Sequence, residues 1–361
     1  MPHLLDPYTL KGVTLRNRIG LSPMCQYSSA DGHPTDWHLM NLGRYAAGGF
    51  GLVVQEATAV SPEGRISPQD AGIWSDAHVG PYRKIVDFVK GQGAVPGIQI
   101  AHAGRKASAR RPWDGDDHIP DDAPGGWPVV GPSAVAFGGP LPKVPHPLTT
   151  AEIAGVTRQF VAAAERSLAA GFEWLELHFA HGYLASSFWS PLANQRTDQY
   201  GGSAENRGRF LVETTRAVRR VWPDNLPLTA RLTVTDFAPG GVTEEESVGL
   251  VKSLKAEGLD LLDASIGFNQ PDVSGVPWGP GFLVPVAARI GTAAGLPVST
   301  SWLITEPKQA DRAVSEEGLA LVLLGRAALA EPNWPYRAAK ELKRDQPQQV
   351  LPPQAAHWLK R

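Results

Sequence analysis

The feature that most restricts this chain is a unit that recurs along it: an amphipathic helical stretch, a glycine, then a short apolar run. In TTAEIAGVTRQFVAAAERSLAAGFEWLELH, Thr149 and Glu152 have capping-box spacing, and Ile153, Val156, Phe160, Ala164 and Leu168 follow at helical intervals. Gly171 then stops the helix and Phe172–Leu177 reads as a strand. The same order appears in TEEESVGLVKSLKAEGLDLLDAS, with Thr243, Glu246, Gly258 and a strand over Leu259–Ala264. It appears again in TEPKQADRAVSEEGLALVLLGR, with Thr305 at the helix start, Gly318, and a strand over Leu319–Leu324.

Extended to the rest of the chain, the pattern gives strands at Arg18–Leu21, Leu52–Gln55, Pro96–Ile100, Leu226–Leu232 and Pro297–Thr300. Strands that are apolar throughout and alternate with helices belong to a parallel sheet buried on both faces. About eight of them predict an α/β fold of the closed (β/α)₈ type, a TIM barrel. The open doubly wound sheet is the rival, but no G-x-G-x-x-G follows the first strand. At 361 residues one barrel with insertions accounts for the length, so residues 1–361 are expected to form a single domain. Three segments fall outside the repeat. Residues 3–16 read as an N-terminal hairpin closing the barrel floor. Residues 104–148, rich in Pro, Gly and Trp, read as a long capping insertion after strand three. Residues 345–361 form a C-terminal tail.

Charge and cysteine content narrow the function. A formal net charge of −2 gives no electrostatic case for nucleic acid or an anionic membrane surface. The start MPHLLDPYTL lacks the basic and apolar regions of a secretory signal, and no apolar run is of bilayer-spanning length. The single cysteine, Cys25, excludes an intramolecular disulfide and a cysteine-ligated cluster, and the expected setting is cytoplasmic. Both the basic run Arg105-Lys106…Arg110-Arg111 and the acidic run WDGDDHIPDDAPGGW read as solvated loops.

In such a barrel the working groups sit at the carboxyl ends of strands. SPMCQY, EATAV, QIAHAGRK, HFAHGY, TSW and GR occupy those places, and strand five is expected to end at Arg231. Gly325-Arg326 suits a phosphate, the glycine by close backbone approach and the arginine as a permanent forked donor. Gln99 offers an amide to the edge of a heterocycle, and Arg231 a cation to a ring that gains negative charge. Together they describe a pocket for a phosphorylated, electron-accepting ring. LHFAHGYL at 177–184 leaves three readings open: His178 and His181 as metal ligands, as oxyanion binders with Tyr183, or as packing. A metal would need a third ligand, for which Asp236, His102 and Asp263 are candidates, although none lies in a recognisable metal motif.

Several long motifs, in order, resemble the old yellow enzyme family. They are SPMCQY (22–27), EATAV (56–60), QIAHAGRKA (99–107), HFAHGYL (178–184), SPLANQRTDQYGGSAENRGRF (190–210) and GRAALAEPNW (325–334). Cys25, the Trp37-His38 pair and the terminal HWLKR resemble its thermophilic-like bacterial branch. The resemblance implies noncovalent FMN lined by Ser22, Pro23, Met24, Cys25, Ala57, Gln99 and Arg231, with Gly325 and Arg326 on the phosphate. It implies NAD(P)H as reductant, NADPH favoured, and a small activated alkene bound among Tyr27, His178, His181, Tyr183 and Trp302. α,β-Unsaturated carbonyl and nitro compounds are the implied substrates, with nitro or nitrate-ester xenobiotics among them. His178 and His181 would bind the developing oxyanion, Tyr183 would give the proton, and Cys25 would tune the flavin. Trp358 would reach a neighbouring subunit's site in a homodimer or higher homo-oligomer. The alternative is a metal-dependent barrel hydrolase built on His178 and His181; with no metal motif, oxyanion binding is the preferred reading.

Overall fold

The computed structural model describes residues 1–360. Its centre is a closed parallel barrel of β1 (Ile19–Leu21), β2 (Leu52–Ala59), β3 (Val95–Ala101), β4 (Trp174–Phe179), β5 (Leu228–Thr235), β6 (Leu261–Ile266), β7 (Val298–Thr300) and β8 (Leu321–Leu324). Each strand pairs with the next, and β8 returns to β1 with Val322, Leu323 and Leu324 opposite Ile19, Gly20 and Leu21. Gly20 allows that closure: a Cβ there would lie 2.4 Å from the Leu323 side chain.

Outside the strands lie α1 (Asp36–Ala47), α2 (Val79–Gly91), α3 (Thr150–Ala170), α4 (Ala204–Arg219), α5 (Glu244–Ala256), α6 (Val284–Ala294) and α7 (Pro307–Ser315). Helix α3 starts where its cap requires. The Thr149 hydroxyl accepts the Glu152 N–H at 3.2 Å, while the Glu152 carboxylate accepts the Thr149 N–H at 2.7 Å. Gly171 ends it at φ +94°, a backbone setting open to glycine without cost. Helix α7 departs from expectation: its cap is Glu306, not Thr305, because Pro307 takes the first helical position, where its missing N–H costs nothing.

The barrel interior has an apolar floor and a polar upper part. Leu52, Val54, Val95, Trp174, Leu261, Leu321 and Leu323 pack with Val13 and Leu15, which belong to the antiparallel hairpin Tyr8–Leu10/Val13–Leu15. Truncating a fully buried tryptophan such as Trp174 costs ~3–5 kcal/mol. Above this floor the buried side chains become Gln99, Glu176, Arg231, Asp263 and Ser299. Three strands run further than the apolar pattern suggests. β2 continues to Ala59 through a shift of register between Gln55 and Thr58, β3 reaches Ala101, and β5 reaches Thr235. Ala57, Gln99 and Arg231 therefore lie within strands and not at their ends. In β5 the β-branched Thr233-Val234-Thr235 keeps the ladder going against Ser265 and Ile266.

The stretch after β3 also departs from its reading as solvated. Arg105 is 1% exposed and donates to the carbonyls of Val135 (3.2 Å), Ala136 (3.3 Å) and Asn269 (2.5 Å). A guanidinium satisfied by main-chain carbonyls leaves no partner pattern in sequence, whereas the nearby Arg110 and Arg111 do pair with Asp117 and Asp114 in the loop. At the other end of the chain, the turn His357–Leu359 carries Trp358, 77% exposed. Among the described residues, no helix is long and apolar enough to cross a membrane.

Candidate active site

The carboxyl end of the barrel is where the backbone is most constrained. Tyr27, Ser108, His181, Phe237, Phe268 and Leu303, all non-glycine and all in loops that follow barrel strands, have φ between +49° and +64°. That conformation costs roughly 1–2 kcal/mol per residue and persists only where the surroundings hold it.

A cavity of about 210 Å³ opens there, lined by Ser22, Pro23, Met24 and His181, by Arg231, and by the 301–305 and 325–327 segments. Arg231, 5% exposed, donates to the hydroxyls of Ser22 (2.9 Å) and Ser301 (2.7 Å), and its Nε faces Asp263 at 3.3 Å without hydrogen-bond geometry. Gln99 donates to Glu176 at 2.7 Å. Burial raises the Glu176 pKa, as does Asp263's like charge, so this carboxyl keeps its proton more tightly than an exposed one. Ala57 is buried in β2. At the far end of the cavity Gly325 precedes the short helix Arg326–Ala330, and Arg326 is exposed with no carboxylate partner among the described residues. These groups fit FMN: Gly325 and the exposed Arg326 for the phosphate, and the buried Arg231, on the lining of the same cavity, as a cation for the ring.

His178 is 3% exposed, and its Nδ1 accepts the Ala180 N–H at 3.3 Å. Burial first, then Arg231 and Lys106, hold its pKa well below the usual histidine value, so the ring is neutral and its proton sits on Nε2. His181 lies 5.0 Å from His178 in perpendicular arrangement, and its Nε2 meets the Ser265 hydroxyl at 2.7 Å. Ser265 also accepts the Trp302 indole N–H at 2.9 Å, so one hydroxyl fixes both rings. His181 too is held neutral, by burial first and then by Arg231. Tyr183 stacks edge-on to His178 at 5.0 Å; burial raises its pKa well above the ordinary phenol value, so it carries its proton. Tyr27 packs at 5.6 Å against Trp113 of the insertion. Cys25 is half-buried, and burial with the nearby carboxyls of Asp70 and Glu56 keeps it a thiol.

The structure thus brings Ser22, Pro23, Met24, His181, Arg231, Trp302, Gly325 and Arg326 to one cavity, with His178 and Tyr183 packed beside His181 and Ala57 sharing a small neighbouring pocket with Tyr183. Gln99 is placed only by its bond to Glu176, and Cys25 and Tyr27 follow the Ser22–Met24 segment in sequence. It does not bring Trp358 to this chain's own mouth, where that residue is absent from the lining. Sequence reasoning missed Ser265, Ser301 and Glu176, whose only signal is a polar residue inside or just past an apolar strand. As for metal ligation, no three His, Cys, Asp or Glu side chains among the described residues are grouped to hold an ion. The third-ligand candidates are engaged otherwise: Asp236 with Ser190 and Asn269, His102 with the Gly104 N–H, and Asp263 with Ser299.

Comparison with known proteins decides the family. The NADH:flavin oxidoreductase / NADH oxidase family profile matches residues 3–345. The chain belongs to this family, the old yellow enzymes. It is 43% identical over 341 residues to an NADPH dehydrogenase of Geobacillus thermodenitrificans, covering 94% of each chain. Among solved structures it resembles morphinone reductase in complex with tetrahydroNAD, with a TM-score of 0.79 and 26% identity over 94% of this chain and 91% of that one. It also resembles a 2-naphthoyl-CoA reductase complex (TM-score 0.84, 26% identity), covering 98% of this chain but spanning only 54% of that protein. As an old yellow enzyme, the protein is an oxidoreductase with FMN as its cofactor and NADPH as its reductant. Nothing in these likenesses supports the metal-hydrolase alternative.

Proposed function

We propose that the protein reduces the C=C bond of α,β-unsaturated carbonyl and nitro compounds, with nitro and nitrate-ester xenobiotics within its range. The observation that carries this reading is the pair of neutral imidazoles, His178 and His181, packed at 5.0 Å beside a protonated Tyr183 at the mouth. Bound FMN supplies two-electron hydride chemistry, held by Ser22, Pro23, Met24, Cys25, Ala57, Gln99 and Arg231 around the ring and by Gly325 and Arg326 at the phosphate. As an alkene accepts hydride at its β-carbon, negative charge gathers on the substrate's carbonyl or nitro oxygen. N–H donors fixed in advance at that point stabilise the charge where it develops. His178 meets the requirement because its Nδ1 is already occupied, which leaves Nε2–H to donate; in His181 the Ser265 hydroxyl occupies Nε2, which leaves Nδ1–H for that role. Tyr183 gives its proton to the α-carbon, and Tyr27 and Trp302 form the walls.

The whole chain acts as one catalytic unit on this reading. Trp358, exposed in the tail, enters the mouth of a second copy in a homodimer or higher oligomer. The relatives' names, NADPH dehydrogenase and morphinone reductase, support the reductive direction. The test is Tyr183→Phe followed anaerobically in two halves. Reduction by NADPH should stay within a few-fold of wild type, and reoxidation by 2-cyclohexenone should slow by roughly 10²-fold or more. Equal loss in both halves would rule out Tyr183 as the proton donor.

A further inference from the structure

We propose that Lys106 is a positioning residue, whose ammonium clamps the main-chain carbonyls of His181 and Phe268 and thereby aims the His181 ring at the substrate oxyanion. The proposal rests on the reading of His181 as an oxyanion donor and adds the group that holds it in place.

Lys106 Nζ donates to the His181 carbonyl at 2.7 Å and to the Phe268 carbonyl at 2.8 Å. Both acceptors lie on residues with left-handed backbone, φ +64° and +49° respectively. Neither residue is a glycine, so each conformation needs an external hold. A single nitrogen provides it for both, joining the loops that follow β3, β4 and β6. The neighbouring Gly182 is shaped around this contact: a Cβ there would lie 2.1 Å from the Phe268 carbonyl oxygen and 2.9 Å from Lys106 Nζ. The clamp also reaches the insertion, since Nζ lies 4.1 Å from the Phe137 ring and 5.7 Å from that of Tyr183. No carboxylate pairs with Lys106 among the described residues, so the two carbonyls are its principal partners.

The charged and titratable groups around it are few. Arg105 precedes it in the same turn, Asp116 comes from the insertion, and His178, His181 and Tyr183 from the β4 loop; Arg231 faces both histidines from within the barrel. Burial, and then the like charge of Arg105, push the Lys106 ammonium down to about 7, against a weaker upward pull from Asp116. A lysine so depressed is charged below that value and neutral above it. Its carbonyl bonds are charge-assisted at lower pH and weaken as pH rises through neutrality. Oxyanion binding should weaken along with them.

The experiment titrates the FMN-loaded enzyme with 4-hydroxybenzaldehyde, whose phenolate stands in for the oxyanion, and reads the long-wavelength charge-transfer band at about pH 6 and about pH 8.5, either side of the lysine's transition. Wild type is compared with Lys106→Met, Lys106→Arg and His181→Ala. The ratio of each variant to wild type cancels the ligand's own ionisation. Lys106→Met should bind about tenfold more weakly than wild type at the lower pH, the scale of a lost charged hydrogen bond, and nearly equally at the higher. Lys106→Arg keeps a permanent cation, so its affinity should match wild type at the lower pH and exceed it at the higher. A Lys106→Met deficit of the same size at both pH values, or none at the lower, overturns the proposal. Should Lys106→Met fail to retain FMN, the arginine variant decides: a ratio to wild type that does not change with pH overturns the proposal. Unchanged binding in His181→Ala defeats the oxyanion reading itself, whereas a deficit there with none in Lys106→Met defeats only the role of Lys106.

Discussion

Arg231 is a buried cation inside the upper barrel, 5% exposed, and its removal tests both the fold and the cofactor site. It faces two buried carboxyls, Asp263 (0% exposed) at 3.3 Å and, through the same interior, Glu176. One guanidinium neutralises one carboxylate; we assign the charge to Asp263 and the retained proton to Glu176, whose pKa burial raises first and Asp263's charge second. Replacing Arg231 by methionine keeps the volume roughly constant and strands Asp263. Stranding one partner of a buried pair costs ~3–5 kcal/mol. The ceiling can be worked separately, because Asp263 can take up a proton instead. From an unfolded value near ~3.9, protonation at pH 7 costs about 4 kcal/mol, and at pH 5 about 1.5 kcal/mol. Burial already raises the Asp263 pKa in the wild type against the opposing pull of Arg231, and losing the guanidinium raises it further. The folded chain therefore binds the extra proton, and stability falls as pH rises above the ordinary carboxylate range. Arg231→Met should therefore lose ~4 kcal/mol at pH 7 and much less at pH 5 in urea unfolding followed by tryptophan fluorescence. Adding Asp263→Asn, which keeps an acceptor for Ser299, should recover most of the loss at pH 7. Flavin affinity, read by quenching of added FMN, should stay weakened in the double variant. Equal penalties at both pH values, or no rescue by Asp263→Asn, would refute the charge argument; wild-type FMN affinity in the double variant would refute the cofactor role.

Other outcomes follow from single contacts. Ser265→Ala removes the hydroxyl shared by His181 and Trp302; loss of two neutral hydrogen bonds should cost ~1–3 kcal/mol in stability and weaken phenolate binding, and an unchanged affinity would show that Ser265 positions neither ring. Glu176→Gln should flatten the pH dependence of stability. The wild-type carboxyl has a raised folded pKa, so its contribution is present at low pH and declines above about 4.3, the unfolded value; a slope identical to wild type would contradict a proton held on Glu176.

Much of the architecture was legible because it depends on local rules. Gly171 and the Thr149–Glu152 and Thr243–Glu246 caps mark helix boundaries through chemistry contained within a few residues. The eight strands were legible because burial on both faces leaves an uninterrupted apolar run. Boundaries were less so: the apolar runs stop at Gln55 and Leu232, whereas the strands go on to Ala59 and Thr235 through the polar Glu56, Thr58, Thr233 and Thr235. The site's supporting contacts were not legible at all. Ser265 and His181 are 84 residues apart, and Lys106 reaches carbonyls 75 and 162 residues away. Main-chain carbonyls are common to every residue, so nothing in the sequence distinguishes the ones that a buried cation will find. Arg105 and Lys106 consequently read as a solvated basic run.

The account stands on FMN seated at the barrel mouth and able to carry electrons from NADPH to an activated alkene. The direct measurement is the visible spectrum of the purified protein under anaerobic conditions, first with NADPH and then with 2-cyclohexenone. Flavin absorbance that bleaches with the first and returns with the second is the predicted result. A protein that stays colourless when supplied with FMN, or whose bleached flavin is not reoxidised by the enone, would contradict it.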